Sequence, residues 1–321
     1  MSRPVPSYTK IVHTKSYDGI NPRLPSLSTS GKVVVITGAS GGIGRATACS
    51  FAASGPKALI LLGRNSSALE ETVKQVKSAL GSSGESLTIV RSLSIDLLDS
   101  PKLRDNLASI VVDLGSIDVV VHCAGHLPPI KPLLEVDPSH FLDGFEMTLT
   151  GTLAIAQAVI LANGAAFAGE SAADQPKKQV RFLNLTTAGA LFPPFPGMGI
   201  YVTCKLAVIK MLEAFAVEKP QMRVINVHPG FLQTNMSTQL AERGVHLPFA
   251  FDDISLPSDF LVWAASPYAD FLHGKIVFAA WDVNELLERK AEIAQPSVPG
   301  GGALALSYQG FARYLNGSLI A

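Results

Sequence analysis

The chain has 321 residues, 47% of them hydrophobic, and a formal net charge of zero. This length and apolar content suit one large α/β domain with additions, and the neutral charge gives no reason to expect nucleic acid or a membrane surface as a partner. Cys49, Cys123 and Cys204 form no Cys-x-x-Cys pair, so we expect no metal site and no disulfide framework, and we expect a reducing, cytoplasmic compartment.

The first 30 residues contain several prolines and many Ser and Thr residues, which predicts an extended N-terminal arm rather than a packed element. The arm has no apolar stretch of the kind that signal peptides carry. No run of 18 uncharged apolar residues follows it, so we expect no membrane-spanning helix.

From residue 32 onward, short apolar runs alternate with longer amphipathic stretches. The expected strands cover residues 32–37, 58–62, 87–92, 117–122, 180–186, 222–228 and 275–279, and the expected helices cover residues 43–54, 66–80, 101–114, 138–162, 202–219, 258–265 and 284–293. Strands that alternate with helices of this length pair in parallel through right-handed crossovers. The pattern predicts one α/β domain over residues 31–295, a Rossmann-type doubly wound parallel sheet.

Three segments depart from this alternation. Residues 164–178 are small and polar, which predicts a surface insertion. Residues 231–257 follow the carboxyl end of a strand, where open α/β sheets bind ligands, so we interpret them as a substrate loop. Residues 296–321 form a C-terminal tail.

A glycine-rich loop, Thr37-Gly38-Ala39-Ser40-Gly41-Gly42-Ile43-Gly44, joins the first strand to the first helix. Glycines at this place allow a tight turn and a close approach of the backbone to a pyrophosphate, and the helix N-terminus favours negative charge. The loop therefore predicts a dinucleotide site. The alternative is a tight turn with no ligand.

Later motifs complete a pattern. They are His122-Cys123-Ala124-Gly125, Tyr201-Val-Thr-Cys-Lys205, His228-Pro229-Gly230 with Thr234, and Asp96 after the third strand. With the spacing Thr-Gly-x3-Gly-x-Gly, they resemble the classical short-chain dehydrogenase/reductase family over about residues 31–280. The resemblance implies that Asp96 contacts adenine and that the Pro-Gly loop lies against the nicotinamide. The cofactor-binding residues it implies are Gly38, Ser40, Gly42, Ile43, Gly44, Arg64, Asn65, Asp96, Leu97, Ala124, Gly125, Tyr201, Lys205, Pro229, Gly230 and Thr234.

The end of the second expected strand decides which dinucleotide is preferred. Family members that use NAD carry an acid there, whereas this chain has Leu62-Gly63-Arg64-Asn65-Ser66. The planar guanidinium of Arg64 can pair with a 2′-phosphate. We expect NADP(H) to be favoured over NAD(H). The alternative is that Arg64 is a solvated surface residue.

Tyr201 and Lys205 are four residues apart, so on a helix they share one face. A nearby ammonium stabilises the phenolate and would lower the tyrosine pKa from its usual value of about 10. Such a tyrosine can give a proton to a carbonyl oxygen or take one from an alcohol. The resemblance implies that Lys205 also holds the nicotinamide ribose.

Two positions depart from the family's catalytic tetrad. Thr187 stands where the family has its catalytic serine, and it keeps the hydroxyl. Thr148 stands where the family has an asparagine that holds a water behind the lysine, and it lacks the amide. Either the differences are tolerated in a working reductase, or the protein binds cofactor without ordinary redox chemistry.

Three hypotheses follow. The first is an NADPH-dependent reductase of a ketone, or dehydrogenase of the secondary alcohol, on a bulky apolar small molecule. The others are a cofactor-binding lyase, isomerase or cyclase, and a non-catalytic binding protein with a vestigial site. The segment from Ala280 to Arg289 and the long tail resemble fungal members of the family, which suggests secondary metabolism, and the resemblance implies a homodimer or homotetramer. The residues that could line an apolar substrate site, or else belong to the core, are Phe192, Phe195, Met198, Phe231, Leu232 and Met236.

Overall fold

The computed structural model describes residues 6–80, 87–164, 167, 178–192, 196–244, 250–295, 303–306, 314–315 and 318–319. Seven strands form one sheet in the order β3-β2-β1-β4-β5-β6-β7, and every neighbouring pair is parallel. The strands are Val33–Thr37 (β1), Ala58–Gly63 (β2), Ile89–Ser94 (β3), Ile117–His122 (β4), Val180–Leu185 (β5), Met222–His228 (β6) and Ile276–Phe278 (β7). The predicted doubly wound sheet is confirmed.

Helices cover both faces of this sheet. They are Gly42–Ala53 (α1), Ser66–Leu80 (α2), Ser100–Leu114 (α3), Pro138–Phe145 (α4), Gly151–Ala162 (α5), Gly199–Glu218 (α6), Asn235–Glu242 (α7), Ser255–Ala264 (α8), Val283–Glu288 (α9) and Lys290–Ile293 (α10). Side chains from α1, α2 and α8 pack on one face, and those from α3, α5 and α6 pack on the other. In β1, Val34 and Ile36 enter the first layer while Val33 and Val35 enter the second. Burial on both faces is why these strands are continuous apolar runs.

The prediction of an unpacked N-terminal arm is wrong for residues 6–30. Ile20 and Leu27 are buried in the core, each within a short 3-10 turn. The carboxylate of Glu285 accepts hydrogen bonds from the backbone N–H groups of Lys10 and Ile11, both at 2.8 Å. The arm is held by partners near the other end of the chain, and local composition cannot reveal such partners.

Other boundaries also differ from the sequence prediction. The expected helix over 138–162 contains a π-helical turn, Glu146–Thr150, between α4 and α5. The expected helix over 284–293 is divided into α9 and α10. The substrate loop contains α7, and its predicted end at Pro257 lies inside α8.

Some predicted segments fall mostly outside the described residues. They are the insertion 164–178 and the tail 296–321. Within the tail, Tyr314–Leu315 and Ser318–Leu319 pair as two short antiparallel strands (β8 and β9).

The helical stretch Pro138–Ala162 is, among the described residues, long and apolar enough to cross a bilayer. It packs within the domain against α3 and α6. In its α5 part, Ile155, Ala156 and Val159 are buried in the core, which accounts for the apolar character there.

Candidate active site

The glycine-rich loop after β1 shows why small residues are needed there. Gly38 has φ of +66°, and a Cβ on it would lie 2.7 Å from the backbone nitrogen of Ala124. A Cβ on Gly44 would collide with the carbonyl oxygen of Gly38, so this helix packs directly on the loop backbone. Gly41, by contrast, has no heavy atom near its missing Cβ and faces open space. Gly41 is the N-cap residue of α1, and no side chain caps the first N–H groups of this helix. The helix N-terminus is therefore available to an anion.

A cavity of about 480 Å³ opens above this loop at the carboxyl edge of the sheet. It brings together residues from the ends of β1, β2 and β4 and from the start of α7. The sequence-predicted cofactor residues that line it are Gly38, Ser40, Gly42, Ile43, Gly44, Arg64, Asn65, Asp96, Leu97, Ala124, Gly125 and Thr234. It also includes His126 and Met147, which the sequence analysis did not single out, and Met236, which it named as a possible substrate-site residue.

At the far end of this cavity, Arg64 carries the positive charge. Its side chain is 66% exposed, and its Nη1 lies 4.0 Å from Oδ2 of Asp96. The side chain of Asn65 already makes hydrogen bonds to its neighbours in the chain. Its Oδ1 accepts from the backbone N–H of Ala68 and from the hydroxyl of Ser67. These contacts secure the first turn of α2. The Arg64 side chain, by contrast, is mostly exposed at the cavity.

A smaller cavity of about 150 Å³ adjoins the first one, and both include Ile43, Gly125 and Thr234. The predicted catalytic residues Thr187, Tyr201 and Lys205 line it, with Pro229 and Gly230 on the opposite wall. Its apolar lining includes Phe231, Leu232, Met236 and Leu240. Phe192 instead packs edge-on against Phe278 in the core, Met198 lines neither cavity, and Phe195 lies outside the described residues.

The protonation of Tyr201 differs from the sequence expectation. Burial raises the pKa of Tyr201 to about 12, and a hydrogen bond with the Thr187 side chain lowers it in part. Burial lowers the pKa of Lys205 to about 8, and its Nζ donates a hydrogen bond to the carbonyl oxygen of Leu185 at 2.8 Å. In this structure Lys205 is directed to the end of β5, and the expected lowering of the tyrosine pKa is not observed.

The two departures from the tetrad lie in different surroundings. Thr187 follows β5, and its Oγ1 accepts a hydrogen bond from the backbone N–H of Gly189 at 3.2 Å. Its own proton can therefore be directed toward Tyr201 or a substrate oxygen. Thr148 is buried in the π-helical turn and lines neither cavity, and its carbonyl oxygen accepts a hydrogen bond from the Thr152 hydroxyl at 2.6 Å.

The donor set fits a dinucleotide. The glycine backbone and the uncapped N-terminus of α1 form a cradle that side chains would fill, and Arg64 lines the same cavity. Among the described residues, no group of three or more His, Cys, Asp or Glu side chains is arranged to hold a metal ion.

The comparisons of this sequence with known proteins all point to the same family. The model of the short chain dehydrogenase family matches residues 32–244. The short chain dehydrogenase citE of Monascus ruber is 32% identical over 269 residues, which cover 83% of this chain and 86% of that protein. The short chain dehydrogenase/reductase nsrO of Aspergillus novofumigatus is 29% identical over 300 residues, covering 90% and 94%.

Solved structures share the fold. An NAD+-bound xylitol dehydrogenase superimposes with a TM-score of 0.67 at 23% identity, covering 79% of this chain and 99% of the other. An actinorhodin polyketide ketoreductase variant with NADPH gives a TM-score of 0.64 at 21% identity, covering 77% and 95%. At these identities the likeness concerns the fold, and the two proteins carry different dinucleotides.

Proposed function

This chain belongs to the short chain dehydrogenase family and is an NAD(P)-dependent dehydrogenase/reductase, and we propose that it uses NADPH to reduce a ketone on a bulky apolar small molecule, or oxidises the corresponding secondary alcohol. The observation that carries this proposal is the convergence of Thr187, Tyr201 and Lys205 on one small cavity that adjoins the glycine-loop cavity. When bound, the nicotinamide supplies the hydride or receives it.

The residues of the chain supply the proton and the orientation. The Tyr201 hydroxyl is protonated at neutral pH and lines the small cavity, so it can donate to a carbonyl oxygen there. The Thr187 hydroxyl is bonded to Tyr201 and can hold the same oxygen. Lys205 places a positive charge one helical turn away.

Arg64 supports NADPH as the preferred cofactor. The end of β2 has no acid to bind a ribose 2′-hydroxyl, and Arg64 lines the cavity beside the N-terminus of α2. A guanidinium pairs with a phosphate through charge-assisted hydrogen bonds. The nearby Asp96 carboxylate would reduce this attraction without cancelling it.

The cavity wall supports an apolar substrate. Phe231, Leu232, Met236 and Leu240 surround the space beside Tyr201, and Lys205 is the charged side chain among the described lining residues. The relatives in Monascus and Aspergillus agree with the resemblance to fungal members of the family, and on that resemblance we propose a role in secondary metabolism. We also propose that the protein is cytoplasmic. We further propose that it forms a homodimer or homotetramer, and light scattering of the purified protein would test this oligomeric state.

A second candidate is a lyase, isomerase or cyclase that binds cofactor without net redox. The buried Thr148 favours it, because this residue replaces the asparagine of the proton relay and lines neither cavity. The intact pair Tyr201 and Lys205 argues against a third candidate, a non-catalytic binding protein.

The test is to incubate the protein with NADPH or NADH and a panel of aryl, aliphatic and polyketide-like ketones, and to record cofactor absorbance and product mass together. A reductase consumes NADPH in proportion to the alcohol formed. Tyr201→Phe is the matched control, since it keeps the ring, removes the proton and should lower the rate by more than about 100-fold. Product formation without NADPH consumption would favour the second candidate and exclude the first.

A further inference from the structure

The substrate loop closes on itself at one pair of residues. The backbone N–H of Asp252 donates to the carbonyl oxygen of Phe231 at 2.6 Å, and the N–H of Phe231 donates to Oδ2 of Asp252 at 3.0 Å. Leu232 also forms an isolated parallel bridge with Asp252. We call the pair Phe231 and Asp252 the loop clasp. The clasp thus joins the beginning of the substrate loop to residues close to its end.

The clasp is part of the wall of the active-site cavity. Gly230, Phe231 and Leu232 line the same cavity as Tyr201. Gly230 has φ of +98°, and a Cβ on it would lie 2.5 Å from Oδ2 of Asp252, so the carboxylate occupies the space where a side chain would be. Asp252 is only 6% exposed. Losing the acceptor would leave the N–H of Phe231 without this bond in a partly buried place, which is costly.

The loop beyond the clasp reaches over the cofactor cavity. Thr234 and Met236, at the start of α7, line both cavities. At the other end of α7, Nη1 of Arg243 donates to the carbonyl oxygen of Pro128 at 3.4 Å. The clasp therefore lies at the base of a wall that both cavities share.

The N-terminal arm holds the chain just after the clasp. The N–H of Asp253 donates to the carbonyl oxygen of Thr14 at 2.8 Å. The hydroxyl of Ser16 donates to Asp259 of α8 at 2.5 Å, and the same carboxylate accepts a hydrogen bond from Ser50 of α1 at 2.6 Å. The arm thus ties the base of the substrate loop to α1, the helix that begins at the glycine-rich loop.

From these contacts we infer that Asp252 is a positioning residue that fixes the wall of the substrate site, with Thr14 and Ser16 of the N-terminal arm as its outer support. The arm lies outside the segment that the family model matches, residues 32–244. In this proposal the arm is a working part of the substrate site. The inference rests on the proposed function only for the identity of the substrate.

The test combines hydrogen exchange of the whole protein with kinetics on a bulky and a small ketone. Asp252→Ala should speed amide exchange over residues 231–244 and raise KM for the bulky ketone about fivefold, the equivalent of one hydrogen bond. It should change kcat and the Kd for NADPH less. Asp252→Asn keeps an acceptor oxygen and should restore KM to within about threefold of the wild type.

The neighbouring carboxylate provides the control. Asp253→Ala removes an exposed side chain that caps Ser255 and makes no clasp contact, so exchange over residues 231–244 should be unchanged. Ser16→Ala removes the side-chain bond from the arm to Asp259 and keeps the backbone bond between Thr14 and Asp253, so it should speed exchange there by a smaller factor than Asp252→Ala. It also serves as the test if Asp252→Ala does not fold.

Unchanged exchange over residues 231–244 in both Asp252→Ala and Ser16→Ala, or an equal increase in Asp253→Ala, would overturn the inference. If the wild type reduces none of the ketones, the proposed function fails. The exchange comparison still decides the role of the clasp in that case.

Discussion

Nε2 of His122 lies 3.0 Å from the hydroxyl oxygen of Thr152. The other hydrogen bonds of these two side chains determine which of the two atoms carries the proton between them. The Thr152 hydroxyl donates to the carbonyl oxygen of Thr148, so it can only accept from His122. His122 therefore carries its proton on Nε2, and Nδ1 accepts from the hydroxyl of Thr37 at 2.9 Å. The Thr37 oxygen in turn accepts the backbone N–H of Ala124. The π-helical turn at Thr148 is thereby tied to the end of β4.

We predict that His122→Asn reduces the sensitivity of the protein to acid. Burial, and secondarily the charge of Lys205, lower the pKa of His122 to about 3, against a usual value of about 6.5. Between these values the unfolded chain binds a proton that the native protein does not, so stability falls as pH falls through this window. From pH 7 to pH 4 the wild type should lose about 3 kcal/mol more than the variant. Urea denaturation at both pH values measures the difference.

Two further measurements separate this effect from general damage. His140→Asn changes an exposed histidine outside the network and should leave the pH 7 to pH 4 difference as in the wild type. Nitrogen-15 spectra of the imidazoles should show His122 protonated on Nε2. A signal for the Nδ1–H form would contradict the assigned network.

The sequence was sufficient for the sheet because its strands are buried on both faces. Each apolar run such as Val33–Thr37 can only be a core strand, and the helices between the runs then dictate parallel pairing. The arm was mispredicted because its few apolar residues, Ile20 and Leu27, have no periodicity and are buried by distant partners. The π-helical turn was missed because Glu146–Thr150 continues an apolar helical pattern without a break.

The site was predictable where function depends on fixed spacing. Tyr201 and Lys205 share a helix, and the glycine-rich loop must follow a strand, so both could be placed from the sequence. His126 and Met147 could not, because they line the cavity only through the path of the chain after β4 and through the π-helical turn. The raised pKa of Tyr201 also depends on burial, which spacing does not reveal.

A second prediction concerns the stability cost of the buried lysine. Burial lowers the pKa of Lys205 to about 8 from 10.5, so at pH 7 the native protein carries a buried ammonium. Lys205→Met should stabilise the ligand-free protein by about 2 kcal/mol at pH 7, after allowing about 1 kcal/mol for the lost bond to Leu185. Between pH 8 and 10.5 the wild type gains stability because only its unfolded chain stays protonated, so the advantage should vanish above pH 10.5.

The control for this experiment is on the same helix. Lys210 is 72% exposed and pairs with Glu213. Lys210→Met should change the free energy of unfolding by less than about 0.5 kcal/mol, as for other surface pairs. If Lys205→Met is destabilising at pH 7, the lysine does not carry a costly charge there.

Arg64 should determine cofactor preference. Replacing it with Leu removes charge-assisted hydrogen bonds to a 2′-phosphate, which should weaken NADPH binding by about 1–3 kcal/mol. NADH has no 2′-phosphate, so its Kd should stay within about twofold. Fluorescence titration of both cofactors measures the change. Equal or tighter binding of NADH by the wild type would contradict the proposed preference.

The last prediction uses Thr187 to decide between redox and non-redox chemistry. Its Oγ1 is anchored by the N–H of Gly189, and its side chain bonds to Tyr201. Thr187→Ser keeps this hydroxyl and removes only a methyl group, so a reductase should retain its rate or exceed it. Thr187→Val keeps the shape and removes the donor, and kcat should fall about 10- to 1000-fold, the range for one lost bond to a developing charge. The Kd for NADPH should not change in either variant.

Thr148→Asn, which restores the family's amide, should leave the rate unchanged or raise it. A non-redox enzyme would consume no NADPH in any of the three variants, and its product yield would follow the shape of the cavity. Thr187→Val turning over NADPH as fast as the wild type would show that Thr187 does not act in place of the serine.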